Sequence, residues 1–287
     1  MPSAVEEVLG SWSMSVPVTL ALVLSIGVYM LGWYRLRRTS DHAIGAGHLA
    51  AFGAAMTALW IAVGSPLEAF ADALLSFHMV QHLLLMAVVP PLLLLGAPIQ
   101  PILHGLPRSL VRGALGPLLR TGPIKWLGHT VTSPWFCWLA ATATLIGWHL
   151  PIAFEFALRH ELWHDVEHVC FLATSIMFWW PVVQPRPSVA RWPRWTVPLY
   201  LFLGMLANDG LSAFLTFCDR VLYPSYASAR RFPISPLEDQ ALSGAIMWVF
   251  GAFIYLIPAV LVSLRMLSPN DLAGPLRSPI RTSSVAD

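Results

Sequence analysis

Two pairs of histidines, His78 with His82 and His164 with His168, each stand four residues apart. On an α-helix that spacing overshoots a full turn by about 40° and rises roughly 6 Å, so each pair shows both imidazoles on one stripe. Imidazole is a common ligand for zinc, copper and iron, and two such stripes brought face to face make a four-nitrogen site for a metal ion or a haem. A lone histidine at a helix end is ordinarily an interfacial polar side chain; the repeated spacing on separate segments is what points to ligation. The second pair lies in His164-Asp165-Val166-Glu167-His168, which adds a carboxylate at Glu167. His149, in Trp148-His149-Leu150-Pro151, is a candidate fifth ligand, and Asp239, in Glu238-Asp239-Gln240, opens an apolar run at the same level.

Other residues are weighed beside these. Asp209, in Asn208-Asp209-Gly210, reads as the only acidic residue deep in a helix. It reads either as a satisfied packing contact or as an acceptor that orients a ligand imidazole. Met79, Met86 and Met247 offer thioethers suited to Cu(I), although methionine is also an ordinary filler between helices. His42, His48, His104 and His129 lie near basic segments and read as solvated or capping; His160 reads as a loop residue. Cys137, Cys170 and Cys218 are far apart, without a Cys-x-x-Cys, and read as packing. No nucleophile with a partner base and no nucleotide-binding loop is evident.

The elements that must position these side chains are membrane helices. The chain has 287 residues, of which 56% are hydrophobic and 11% charged, far below the roughly 25% charge of soluble domains. Apolar runs of spanning length fall near 16–33, 48–63, 77–95, 134–150, 161–183, 197–218 and 241–264, with Trp and Tyr at their ends. The fifth carries its histidines and Glu167 into the span, where ionisable groups are functional candidates by default. The expected fold is therefore all-α, a single polytopic membrane bundle of about seven helices with a flexible tail at 273–287. The segment 96–133, rich in Pro and Gly, reads as a loop along the membrane surface.

Lys and Arg concentrate in cytoplasmic loops. Thirteen of the 17 basic residues follow the first, third, fifth and seventh spans, as at Arg35, Arg108, Arg191 and Arg265. This predicts an outside N-terminus, an inside C-terminus and histidines toward the non-cytoplasmic face. Glu6 and Glu7 precede the first span where a secretory signal carries positive charge, so that span is expected to be retained. A formal charge of +2 with scattered basic residues argues against nucleic acid as a partner.

Four stretches together resemble the CtaG-type membrane proteins required for assembly of caa3-type cytochrome c oxidase. They are Ser65-Pro66-Leu67; His78-Met79-Val80-Gln81-His82 with Pro90-Pro91-Leu92 and Gly96-Ala97-Pro98; Trp148-His149-Leu150-Pro151 with His164, Glu167-His168 and Phe178-Trp179-Trp180-Pro181; and Asp239-Gln240 with Gly244 through Trp248. The likeness covers roughly Trp60 to Val262. It implies a seven-helix protein of the bacterial cytoplasmic (inner) membrane that is not an enzyme. Such a protein holds copper at His78, His82, His149, His164, Glu167 and His168, receives it from extracytoplasmic donors and supplies the oxidase subunit that carries the copper B centre.

Three other readings remain. His164-x-x-Glu167-His168 matches the inverted zinc-peptidase motif, with Glu167 activating water. Axial histidines from two spans would suit a haem-binding electron carrier. A di-iron hydroxylase is disfavoured, since it wants more histidines, on the cytoplasmic face, with a His-x-x-His-His box that this chain lacks.

Overall fold

The structure, a computed structural model, describes residues 3–12, 14–39, 44–184 and 193–267. His42, Arg186, Arg191 and the tail at 273–287 lie outside them. Among the described residues every regular element is helical, without strands. Within the described residues six helices are long and apolar enough to cross a membrane, and a seventh span results if a bent pair is counted as one. A short α1 (Ala4–Ser11), closed by a reciprocal Ser3–Glu6 capping box, precedes α2 (Val16–Thr39) and α3 (Ala46–Gly64). The third span joins α5 (Leu75–Leu83) to α6 (Val89–Leu95), after a short α4 (Leu67–Ala73). The bent pair is α11 (Pro134–His149) and α12 (Pro151–Leu158); α13 (Glu161–Val183), α14 (Val197–Phe217) and α15 (Pro236–Leu267) complete the bundle.

The distribution of polarity is inverted relative to a water-soluble bundle. Along α15 the exposed side chains include Val249, Phe250, Phe253, Leu256, Ile257, Val260, Leu261 and Leu264, whereas Asp239, Gln240 and Ser243 are buried. The same holds across the molecule, where His78, Gln81, His82, Glu167 and Asn208 lie inside. Apolar surface facing outward is stable against lipid, and buried polar groups then meet one another instead of water.

Prolines set the breaks that matter. Pro151 lacks an N–H and restricts the residue before it to extended backbone, as seen at Leu150 (φ −62°, ψ 129°). The fourth span therefore turns by 73° between α11 and α12. This brings Phe154 under His78 and His149, its ring centroid 5.1 and 6.3 Å from theirs. Pro90 and Pro91 act differently. Neither can donate to the turn before it, and a proline ring crowds the carbonyl four residues back, which for Pro90 is Met86. The helix answers with a π-helical turn over Leu84–Val88, in which the Val89 N–H reaches back to Leu84 O. The Met86 carbonyl instead accepts the indole N–H of Trp179 on α13, at 3.0 Å. Trp179→Phe would leave that carbonyl orphaned while keeping an aromatic ring. We expect it to cost about 1–3 kcal/mol, measured as a lowered unfolding temperature of the purified protein in detergent; an unchanged temperature would show that the bond contributes nothing.

The segment 96–133 departs from the expected loop. It folds into α7 (Ile99–Gly105), α8 (Arg108–Leu110), a second π-helical turn at Val111–Leu115, α9 (Gly116–Arg120) and α10 (Gly122–Val131). Pro123 lies in the first turn of α10, where a missing N–H costs nothing. The π-helical turn again ends just before a proline, Pro117. α7 packs against α2 at Gly32 and Gly105, where any Cβ would run into the Pro101 or Val28 backbone. The Arg35 guanidinium donates to His104 O at 2.7 Å.

Candidate metal centre

The two histidine pairs meet. His78 and His82 project from α5 and His164 and His168 from the first turns of α13, with ring centroids 4.3 Å apart within each pair. Across the helices His78 lies 5.3 Å from His164 and 6.1 Å from His168, while His82 lies 5.6 Å from His168. His149, at the last position of α11, joins from the far side, 5.9 Å from His82. Glu167 turns inward with them, one carboxylate oxygen 3.7 Å from His82 Nε2. Two overlapping sets of donor atoms lie within 4.8 Å of one another, His78 with His82 and His168, and His78 with His164 and Glu167. His78 belongs to both.

Burial makes this arrangement costly as it stands. His78, His82 and Glu167 are at most 1% exposed and His149 4%; His164 alone is half-buried. Both ring nitrogens of His78 and of His82, Nε2 of His149, His164 and His168, and both Glu167 oxygens are buried without a hydrogen-bond partner. Buried polar atoms are nearly always paired, and each unpaired one costs about 1–3 kcal/mol. A cation among them would partner the nitrogen and oxygen atoms that ligate it and balance a Glu167 carboxylate that burial otherwise penalises. Imidazole nitrogens with one carboxylate oxygen form a donor set that copper and zinc both accept. The residues therefore fit a metal ion. His149 Nδ1 is engaged with Leu145 O at 2.7 Å, which orients the ring and leaves Nε2 as its donor toward the centre.

Polar residues beyond the histidines hold the helices in place. Asp239, at the start of α15, accepts the first two backbone N–H groups of α5, from Leu75 at 2.7 Å and Ser76 at 3.2 Å. The carboxylate thus caps the helix that carries His78 and His82. Gln240 next to it ties down the chain before Tyr223 through Leu222 N and Arg220 O, and Tyr223 donates to the His149 carbonyl at 2.8 Å. Asp209 is only half-buried, and its carboxylate meets the Asn208 amide at 3.4 Å. It is not the one acid deep in a helix, because Glu167 and Asp239 are each 0% exposed. Asn208 faces the interior and donates to Met247 O at 3.2 Å. Helical phase would have singled it out, since Leu201, Gly204, Asn208, Ser212 and Leu215 form one buried stripe.

His164, the most accessible of the five, lies in an acidic surround. Glu68 on α4 is close enough to interact with Asp72 on the same helix and with Glu161 and Asp165 on α13, and His164 with Asp72 and Asp165. Burial, then the charges of Asp72, Asp165 and Glu161, push the Glu68 carboxyl upward. Burial raises Asp72 as well, against the opposing influence of His164. Carboxylates crowded in this way gain from a nearby cation. His104 and His160 stay apart from the centre, exposed and bonded to carbonyls one turn back in their own segments.

An uncharacterized protein of Mycobacterium bovis and one of Mycobacterium tuberculosis are each 27% identical over 263 residues, 86% of this chain and 38% of the relative. A third, from Mycobacterium leprae, is 26% identical over 246 residues, 79% of this chain and 35% of its own length. The chain thus spans well under half the length of these curated relatives. No solved structure matches it. A family model described as cytochrome c oxidase caa3 assembly factor matches residues 27–268, most of the sequence and every residue of the histidine centre. The chain belongs to the cytochrome c oxidase caa3 assembly factor family.

Proposed function

We propose that the chain is a membrane metallochaperone that takes up copper at His78, His82, His149, His164, His168 and Glu167 and passes it to the copper B centre of the oxidase whose assembly its family serves. The supporting observation is the convergence of nine unpartnered buried nitrogen and oxygen atoms from five histidines and one glutamate. In this reading the basic loops are cytoplasmic, the membrane is the bacterial cytoplasmic membrane, and copper arrives from extracytoplasmic donors. It enters past Glu68, Asp72, Glu161 and Asp165 to His164. The partner is the oxidase subunit that carries copper B, and the protein performs no catalysis.

Zinc fits the same donors, but a peptidase must also present its glutamate and metal to a peptide bond, and Glu167 is 0% exposed. A haem would need a slot for its macrocycle, whereas the cavity beside His82 and His149 is about 20 Å³. Both alternatives are therefore less well supported than an ion in transit.

The test uses cells whose assembly factor carries His164→Ala/His168→Ala. Oxidase purified from them is expected to contain its haem but to fall short in copper-to-haem ratio and activity. A normal ratio with full activity would falsify copper delivery. A second arm fixes direction: a phosphatase active only outside the cytoplasm should work when fused after Arg159 and fail after Arg108. The opposite pattern would place the histidines inside and remove the route of entry.

A further inference from the structure

A small cavity adjoins the histidine centre on the side of α14 and α15. It measures about 20 Å³ and is lined by Met79, Met86 and Met247 together with His82, His149 and Asn208. Met79 and Met247 are 0% and 3% exposed, so neither meets lipid or water. A methionine that merely fills a gap closes the space beside it. Here three of them, from two spans, border a space that remains open, large enough for one water or one ion.

The polar atoms around it choose between those guests. Both ring nitrogens of His82 and Nε2 of His149 are buried without partners. The Asn208 amide already donates to Met247 O, and thioethers are weak acceptors for a water's protons. Soft thioether sulfur with imidazole is the donor set that monovalent copper prefers, whereas divalent zinc and copper favour the harder nitrogen and oxygen set around Glu167. His82 borders this cavity and also belongs to the trio with His78 and His168.

We propose that this cavity is a second metal site, selective for a soft monovalent cation, in which Met79, Met86 and Met247 ligate Cu(I) with an imidazole from His149 or His82. The proposal rests on the copper reading of the histidine centre and adds to it a station for the reduced ion, reached through His82. Its π-helical turn at Leu84–Val88 contains Met86, so the widened backbone helps to shape the wall of the site.

The experiment uses the full chain in detergent under anaerobic conditions, labelled with selenomethionine and loaded with Cu(I). Absorption fine structure at the selenium edge should show a copper neighbour, a signal that only a methionine ligand produces. Met86→Leu/Met247→Leu, which keeps side-chain bulk, should weaken Ag(I) binding by about tenfold or more and leave Co(II) binding at the histidine centre unchanged. His164→Ala/His168→Ala should lose Co(II) yet keep the selenium–copper signal. Failure of the parent to bind Co(II) would therefore count against the histidine centre alone. Absence of the selenium–copper signal, as when the cavity holds a water, or parental Ag(I) affinity in the leucine variant, overturns the second site.

Discussion

Purified protein carrying His78→Ala/His82→Ala is expected to lose divalent metal affinity by about 10³-fold or more, since zinc-type sites bind with about 10–16 kcal/mol shared among roughly four ligands. The reason is geometric. His78 contributes to both overlapping donor sets, and His82 links the trio to Glu167 and to His149. Removing these two leaves His164, His168 and Glu167 on one helix, with His149 isolated opposite them. Equilibrium dialysis against Co(II) or Zn(II) measures the loss directly. Retention of parental affinity would mean that the imidazoles are a packed polar cluster and that the ion, if any, sits elsewhere. Because both substitutions also remove four orphaned nitrogens, the metal-free variant should be at least as stable as the metal-free parent. That expectation separates a ligand role from a structural one.

Asp239→Ala is expected to be the most damaging single change outside the histidines, lowering stability by about 3–5 kcal/mol. It strands the buried N–H groups of Leu75 and Ser76 and takes a negative charge from the N-terminus of α5. Because α5 carries His78 and His82, metal affinity should fall with stability. Asp239→Asn keeps one acceptor and should recover part of both. Thermal unfolding with and without bound metal distinguishes the outcomes. If asparagine restores stability fully but not metal retention, Asp239 acts nearer the ion than a helix cap does; if alanine melts as the parent does, the cap is dispensable.

The parts of this architecture that were legible in the sequence are those that local periodicity determines. The i, i+4 spacing of His78/His82 and His164/His168 specified two stripes, and the start of the fifth helix near Glu161 followed from spanning length. What required three dimensions was azimuth. Asp209 drew notice because it is charged, yet a residue one position away on a helix points about 100° elsewhere, and it is Asn208 that faces inward. The partners of Asp239 are backbone groups 164 and 163 residues away, which no spacing rule reveals. The segment 96–133 reads as a loop when Pro and Gly count as breakers alone. Pro123 and Pro134 instead stand in first helical turns, so the same residues that end one helix begin the next.

The π-helical turn in the third span has a consequence for how chain length varies among relatives. Such a turn holds one residue more than the α-helical path it replaces and absorbs it locally, so the halves of the span, with His82 before it and Leu94 after it, keep the relative faces they would have without that residue. Deleting any single residue elsewhere in the span would swing every following side chain by about 100°. Deleting one within Leu84–Val88 would let an ordinary helix close up with both faces kept, provided that Pro90 and Pro91 were replaced as well. Insertions and deletions in this span should therefore be confined to this turn, and a relative lacking the two prolines should be one residue shorter there.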